Sequence, residues 1–180
     1  INAISKTEVL PTYEAFVSGT AVARPFHPNG DRVHTYLREM RREVLDSYAT
    51  VTVGECPEVT PELAHLYVDE NRRELDMLFQ FEHMDLDWEP GTDSWHLRPV
   101  ALGELKETLT RWQTAMAQQG WNSLYWDNHD QPRVVSRFGD DRAYRVESAK
   151  MLATLLHMMK GTPFVYQGEE LGMPNPGFDR

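Results

Sequence analysis

The sequence predicts an α/β fold in which parallel strands alternate with helices. Three features carry this expectation. Short β-branched or aromatic runs alternate with stretches whose apolar residues recur at helical spacing. The intervals between runs suit βα units, so the strands are expected to lie parallel. The runs also stop abruptly at acids, amides or imidazoles, which are poor strand material. Such residues do suit the carboxyl end of a parallel strand, where barrel enzymes place their sites.

In chain order, Val33, Tyr36, Leu37, Met40, Val44 and Leu45 recur as one face of an amphipathic helix over residues 31–46. An alternating strand over 49–53 ends at Gly54-Glu55. Thr60 followed by Pro61 is an N-cap and first-turn signature, opening a helix with Leu63, Leu66 and Tyr67. Residues 75–81 form the next strand candidate and run into Glu82-His83, and 89–94 reads as a loop. Leu102, Leu105, Leu109, Trp112 and Met116 share a face of a long helix, with Gly120 placed as its left-handed cap. The aromatic strand 123–126 then enters Asp127-Asn128-His129-Asp130-Gln131-Pro132-Arg133. A helix over 142–160 stops at Gly161, and the short strand 162–166 ends in Gln167-Gly168-Glu169-Glu170. Four such strands fit a small open sheet, or equally half of an eight-stranded barrel of about 250 residues.

Composition narrows the function. The chain has 180 residues, 41% of them hydrophobic, enough for one substantial core. A net charge of −10 with no basic run longer than two argues against a nucleic-acid partner. The apolar runs fall short of the roughly 20 residues that a membrane helix takes, so no membrane partner is expected. Cys56 is the single cysteine, which forbids an intrachain disulfide and favours a reducing, cytoplasmic compartment. Its neighbour Glu55 invites a nucleophile reading, but with no histidine nearby in sequence a packing role is expected. His27, His34, His65, His96 and His157 are scattered without metal-ligand spacing, so neither metal nor cofactor is expected. The start at Ile1 and the end inside a Pro/Gly-rich stretch suggest a segment truncated at both ends.

Four segments, ATVTVGECPEVTP, LFQFEHMDLDW, SLYWDNHDQPRVVSRFGDD and GTPFVYQGEELGMPN, together resemble the α-amylase superfamily of glycoside hydrolases (family 13). Within it, the match is to the oligo-1,6-glucosidase and α-glucosidase subfamily. The resemblance spans essentially the whole chain in the family's order and spacing. One such segment is weak; four in register are specific. Residues 1–6, Ile-Asn-Ala-Ile-Ser-Lys, resemble the stretch after the family's fourth barrel strand, GFRxDVIN-x-ISK, whose aspartate is the catalytic nucleophile. The resemblance therefore implies the C-terminal half of a (β/α)8 TIM barrel, helix 4 through strand 8. Residues 1–180 would be a partial catalytic domain whose nucleophile lies two positions before Ile1.

The resemblance also implies roles. Glu55 matches the general acid/base at the end of strand 5, where a retaining glycosidase needs two carboxyls about 5–5.5 Å apart. Asp130 matches the third catalytic acid, which holds sugar hydroxyls in the distorted transition state, and His129 matches an imidazole bonded to the same sugar. Arg133 is expected to bind substrate. It or Arg137 could instead orient Asp130 or Glu55, or pair with Asp140, Asp141 or another surface acid. Glu82-His83 and Glu169-Glu170 are expected to pack the loops rather than to react. The implied partner is an oligosaccharide, for an enzyme monomeric at full length, and the isolated 180 residues should be inactive. Alternatives are a sucrose isomerase or other transglycosylase, a trehalose-6-phosphate hydrolase, or a non-catalytic amylase-like subunit of amino-acid transporters. Sucrose isomerases tend to carry DNPR and QGSELG where this chain has DQPR and QGEELG, and the non-catalytic domains lose acids that stand here.

Overall fold

The structure, a computed structural model, describes residues 29–30, 32–89 and 98–177. The readings of residues 1–6, of position 31 and of most of the 89–94 loop lie outside the described residues. Two compact units are present: Ile1–Phe81 with Thr114–Asn122, and Glu82–Gln113 with Ser123–Arg180.

In the first unit, helix α1 spans Val33–Glu43 and a 3-10 turn follows at Leu45–Ser47. The single helix expected over 31–46 is thus divided, because Val44 (φ −126°, ψ −63°) leaves the helical region. Arg41 and Arg42 occupy its last turn, where cations favour the helix dipole. Strand β1, Val53–Glu55, pairs in parallel with β2, Met77–Phe79, in the register Val53↔Met77, Gly54↔Leu78, Glu55↔Phe79. Pairing begins later than the expected 49–53 strand for a local reason. The Asp76 carboxylate takes both the Thr52 amide and its hydroxyl at 2.7 Å, and the ladder starts at the next residue.

Helix α2, Pro61–Val68, opens as its sequence indicates, with Thr60 Oγ1 accepting from the Leu63 amide at 3.4 Å. Glu74, 1% exposed, joins α1 to the segment before β2, receiving Arg38, Arg72 and His34 at 2.9, 2.8 and 2.6 Å. A buried carboxylate tolerates such a place when it is multiply paired. Gly120 is left-handed (φ +87°), and a Cβ there would meet Met116 Sδ at 2.6 Å. It does not cap the preceding helix, which stops five residues earlier.

That helix, α3, spans Leu102–Ala115. In the second unit, β3 (Ser123–Leu124) pairs in parallel with β4 (Thr162–Pro163). Both strands are shorter than expected because side chains capture the backbone beyond them. His83 Nε2 binds the Tyr125 carbonyl at 2.9 Å, and Glu169 Oε2 takes the Tyr166 amide at 3.1 Å. A five-residue helix, α4 (Val134–Phe138), was not anticipated. Helix α5 spans Arg145–His157, shorter than the expected 142–160. Asp140 Oδ1 accepts the Arg142 and Tyr144 amides and holds a turn before it. Beyond its end, Gln113 binds the Lys160 amide and carbonyl at 2.8 and 3.0 Å.

The core of this unit is Leu124, Trp126, Val134, Leu152 and Leu156, with Leu105, Leu109 and Phe138 packed on it. Trp126 buries its ring and donates its Nε1–H to the Leu152 carbonyl at 2.9 Å. Among the described residues no helix is long and apolar enough to cross a membrane. None of their His, Cys, Asp and Glu residues cluster in threes that could hold a metal ion.

Candidate active site

Glu55 is the last residue of β1. Its neighbour Gly54 is buried, while Glu55 itself is exposed. The ladder engages its backbone, leaving the carboxyl available to solvent. It borders a mainly apolar cavity of about 250 Å³ lined by Leu37, Met40, Val53, Cys56, Tyr67 and Leu75. Burial, then the charge of Glu55, pushes the Cys56 thiol up to about 11. A thiol so poorly ionised at neutral pH packs rather than attacks.

Beyond β3 the chain turns outward. Asn128 Oδ1 accepts the Asp130 amide at 2.8 Å, the local hydrogen bond that Asn favours in turns. This sets His129 and Asp130 side by side, His129 Nε2 lying 3.3 Å from Asp130 Oδ2 with both side chains largely exposed. A carboxylate and an imidazole presented together can take and give hydrogen bonds to adjacent hydroxyls, the requirement for gripping a sugar ring.

The arginines separate. Arg133 donates to the Gln167 carbonyl and lies over the Tyr166 ring with its guanidinium carbon 4.8 Å from the centroid. Its amide donates to Asn175 Oδ1 at 2.8 Å. Arg137 makes a buried two-point ion pair with Asp87 and also donates to the Met84 carbonyl and Gln131 Oε1. Its partner is thus neither Asp140 nor Asp141. Glu55 belongs to the first unit and His129, Asp130 and Arg133 to the second.

Sequence reasoning did not identify Asp127, Gln131, Asp87 or Asn175 as supports. Asp127 Oδ2 caps α4 by accepting the Val134 amide at 2.9 Å. Arg133 and Arg137 find Asn175 and Asp87 some 42 and 50 positions away, and no local pattern announces such pairings. Glu82 does pack, as expected, accepting from Trp112 Nε1 at 2.6 Å and pairing with Arg111.

His83 is 3% exposed, its ring edge-on to Tyr125 and Trp126. Burial depresses its pKa from 6.5 to about 4, with the nearby Arg137 charge contributing. The folded state therefore resists a proton that the unfolded chain accepts. Stability from the neutral ring is complete above about pH 6.5 and is lost as pH falls toward 4. Wild type should lose urea stability relative to His83→Gln across that window. Parallel stability curves would reject the account.

The chain matches the α-amylase catalytic domain over residues 1–179. It is 59% identical to an oligo-1,6-glucosidase of Bacillus cereus over 179 residues, 99% of this chain and 32% of that protein. A solved trehalose-6-phosphate hydrolase of Bacillus licheniformis superposes with a TM-score of 0.89 at 48% identity, covering 99% of this chain and 31% of its own. A solved trehalulose synthase gives 0.85 at 39% identity, covering 99% and 32%. The chain thus spans about a third of the length of these relatives. Its parallel strands alternating with helices are those of part of a (β/α)8 enzyme domain, and the chain belongs to the α-amylase catalytic-domain family.

Proposed function

We propose that this chain supplies the carboxyl-terminal half of the (β/α)8 barrel, helix 4 through strand 8, of a retaining α-glucosidase acting on α-1,6 or α-1,4 bonds of short oligosaccharides. The observation that carries the reading is Glu55, an exposed carboxyl ending a parallel strand, in a chain akin throughout to an oligo-1,6-glucosidase. Glu55 acts as general acid, then general base. Asp130 and His129 bind the reacting sugar, and Arg133 supports that binding. The nucleophile comes from outside these residues. The half-barrel reading gains support from β1, whose exposed Val53 and preceding Val51 (72% exposed) offer a β-branched surface suited to further packing. On the same reading the full-length enzyme is monomeric and cytoplasmic.

The likeness to a trehalulose synthase and a trehalose-6-phosphate hydrolase gives the competing reading its basis. An enzyme of the relatives' full length carrying this segment should be tested on isomaltose, sucrose and trehalose-6-phosphate. Isomaltose hydrolysis releasing α-glucose first, seen by proton NMR, is the expected result. Isomaltulose or trehalulose from sucrose would indicate the isomerase, and preference for trehalose-6-phosphate the phosphate-specific hydrolase. β-Glucose as first product would overturn the retaining mechanism.

A further inference from the structure

We propose that Asp127 and Glu169 share a single proton, and that this carboxyl pair is a positioning device. It seats the 128–131 loop, and with it His129 and Asp130, on the 166–172 turn. The inference rests on the sugar-binding role proposed for those two residues.

Asp127 is 3% exposed, and its Oδ1 is buried with no N–H or hydroxyl donor reaching it. The Glu169 carboxyl is its neighbour, close enough for the two charges to oppose each other. Two ionised carboxylates only accept, so the buried Asp127 Oδ1 gains a partner from Glu169 when one of the two carries a proton. Glu169 Oε2 is itself fixed by the Tyr166 amide at 3.1 Å. The charged groups facing the pair pull in opposite directions. Arg133 favours ionised Asp127, and Glu170, whose Oε2 accepts the Gly168 amide at 2.8 Å, opposes ionisation of Glu169. Arg145 is engaged by the Leu171 and Gly172 carbonyls at 2.9 Å. Burial foremost holds both carboxyls above their ordinary range, and Glu169 is pushed up to about 7.

The geometry gives the pair its consequence. The loop between Asp127 and Arg133 is clamped at both ends to one turn. At its far end, Arg133 grips the Gln167 carbonyl and covers Tyr166. At its near end, the carboxyl pair is the clamp. Loss of its proton sets two charges against each other and loosens the side from which His129 and Asp130 project.

The test uses D127N, E169Q and D127A in an enzyme of the relatives' full length. In D127N the amide oxygen keeps the Val134 contact and the amide N–H donates to Glu169 without any shared proton; E169Q is the mirror case. Both should move the alkaline limb of kcat/KM up by about one pH unit or more while staying within about threefold of wild type at pH 6. D127A should lose about tenfold or more at every pH. A limb that does not move overturns the positioning role. Stability is read without substrate. The folded pair holds a proton that the unfolded chain releases, so wild type should weaken relative to D127N as pH rises from 4.5 through about 7. Curves that stay parallel overturn the shared proton. Because this second readout needs no turnover, absence of glucosidase activity would sink the proposed function and still leave the pair tested.

Discussion

Glu55→Gln is expected to lower kcat on a disaccharide such as isomaltose by about 10²–10⁴-fold, the usual contribution of a positioned general acid. Glutamine preserves the size and hydrogen-bonding reach of the side chain but cannot deliver the proton that the departing sugar oxygen requires. The fold should hardly notice, because β1 uses the backbone of Glu55 and leaves its side chain exposed. The stability change should stay within about 0.5 kcal/mol. The loss should also be selective. A glucoside whose leaving group is an acidic phenol departs with little protonation, so its first step should be largely spared. Steady-state kinetics on both substrates check this. Wild-type turnover of isomaltose, or equal losses of kcat/KM on the two substrates, would remove Glu55 from the acid/base role.

Arg137→Leu is the substitution expected to damage stability most, by about 3–5 kcal/mol, the range for removing one partner of a buried ion pair. The Arg137 and Asp87 side chains are 2% and 3% exposed, and Nε reaches Asp87 Oδ2 at 2.6 Å. Leucine would leave the Asp87 carboxylate buried without its counter-charge. The companion double variant, Arg137→Leu with Asp87→Leu, should be less destabilised than Arg137→Leu alone, since it removes the stranded charge together with its partner. Urea titration of the three proteins measures both effects. A single-variant loss no larger than that of a surface substitution would refute the account. Arg137 Nη1 also holds Gln131 Oε1 at 2.6 Å, next to Asp130 in sequence. In the full-length enzyme the single variant should therefore raise KM as well.

Much of this protein was legible in its residues. Thr60-Pro61 announced the start of α2, because a hydroxyl cap and a fixed φ act within one turn of chain. The helical spacing of Leu102, Leu105, Leu109 and Trp112 located α3, and the alternation of elements predicted parallel pairing. The Asn128-His129-Asp130 cluster stood out because such residues end strands, and Asn128 does form the local bond expected of it. These are short-range effects, and sequence records short-range effects directly.

Strand lengths were misread for a different reason. The β-prone runs at 49–53, 123–126 and 162–166 extend further in sequence than their ladders do in space. Where each ladder begins or stops is decided by a competing side chain, distant in sequence for Asp76 at Thr52 and His83 at Tyr125, and only three residues on for Glu169 at Tyr166. Propensity cannot register such competition. Arg137 shows the same limit, since its counter-ion Asp87 lies 50 positions away while Asp140 and Asp141 are near in sequence. The residues by themselves determined the α/β pattern, the start of α2 and the chemistry-bearing loop. Only the tertiary structure decided which charges are buried, which pair with which, and that Asp127 meets Glu169. Burial and long-range pairing come from chain closure, which brings together residues that no local pattern connects.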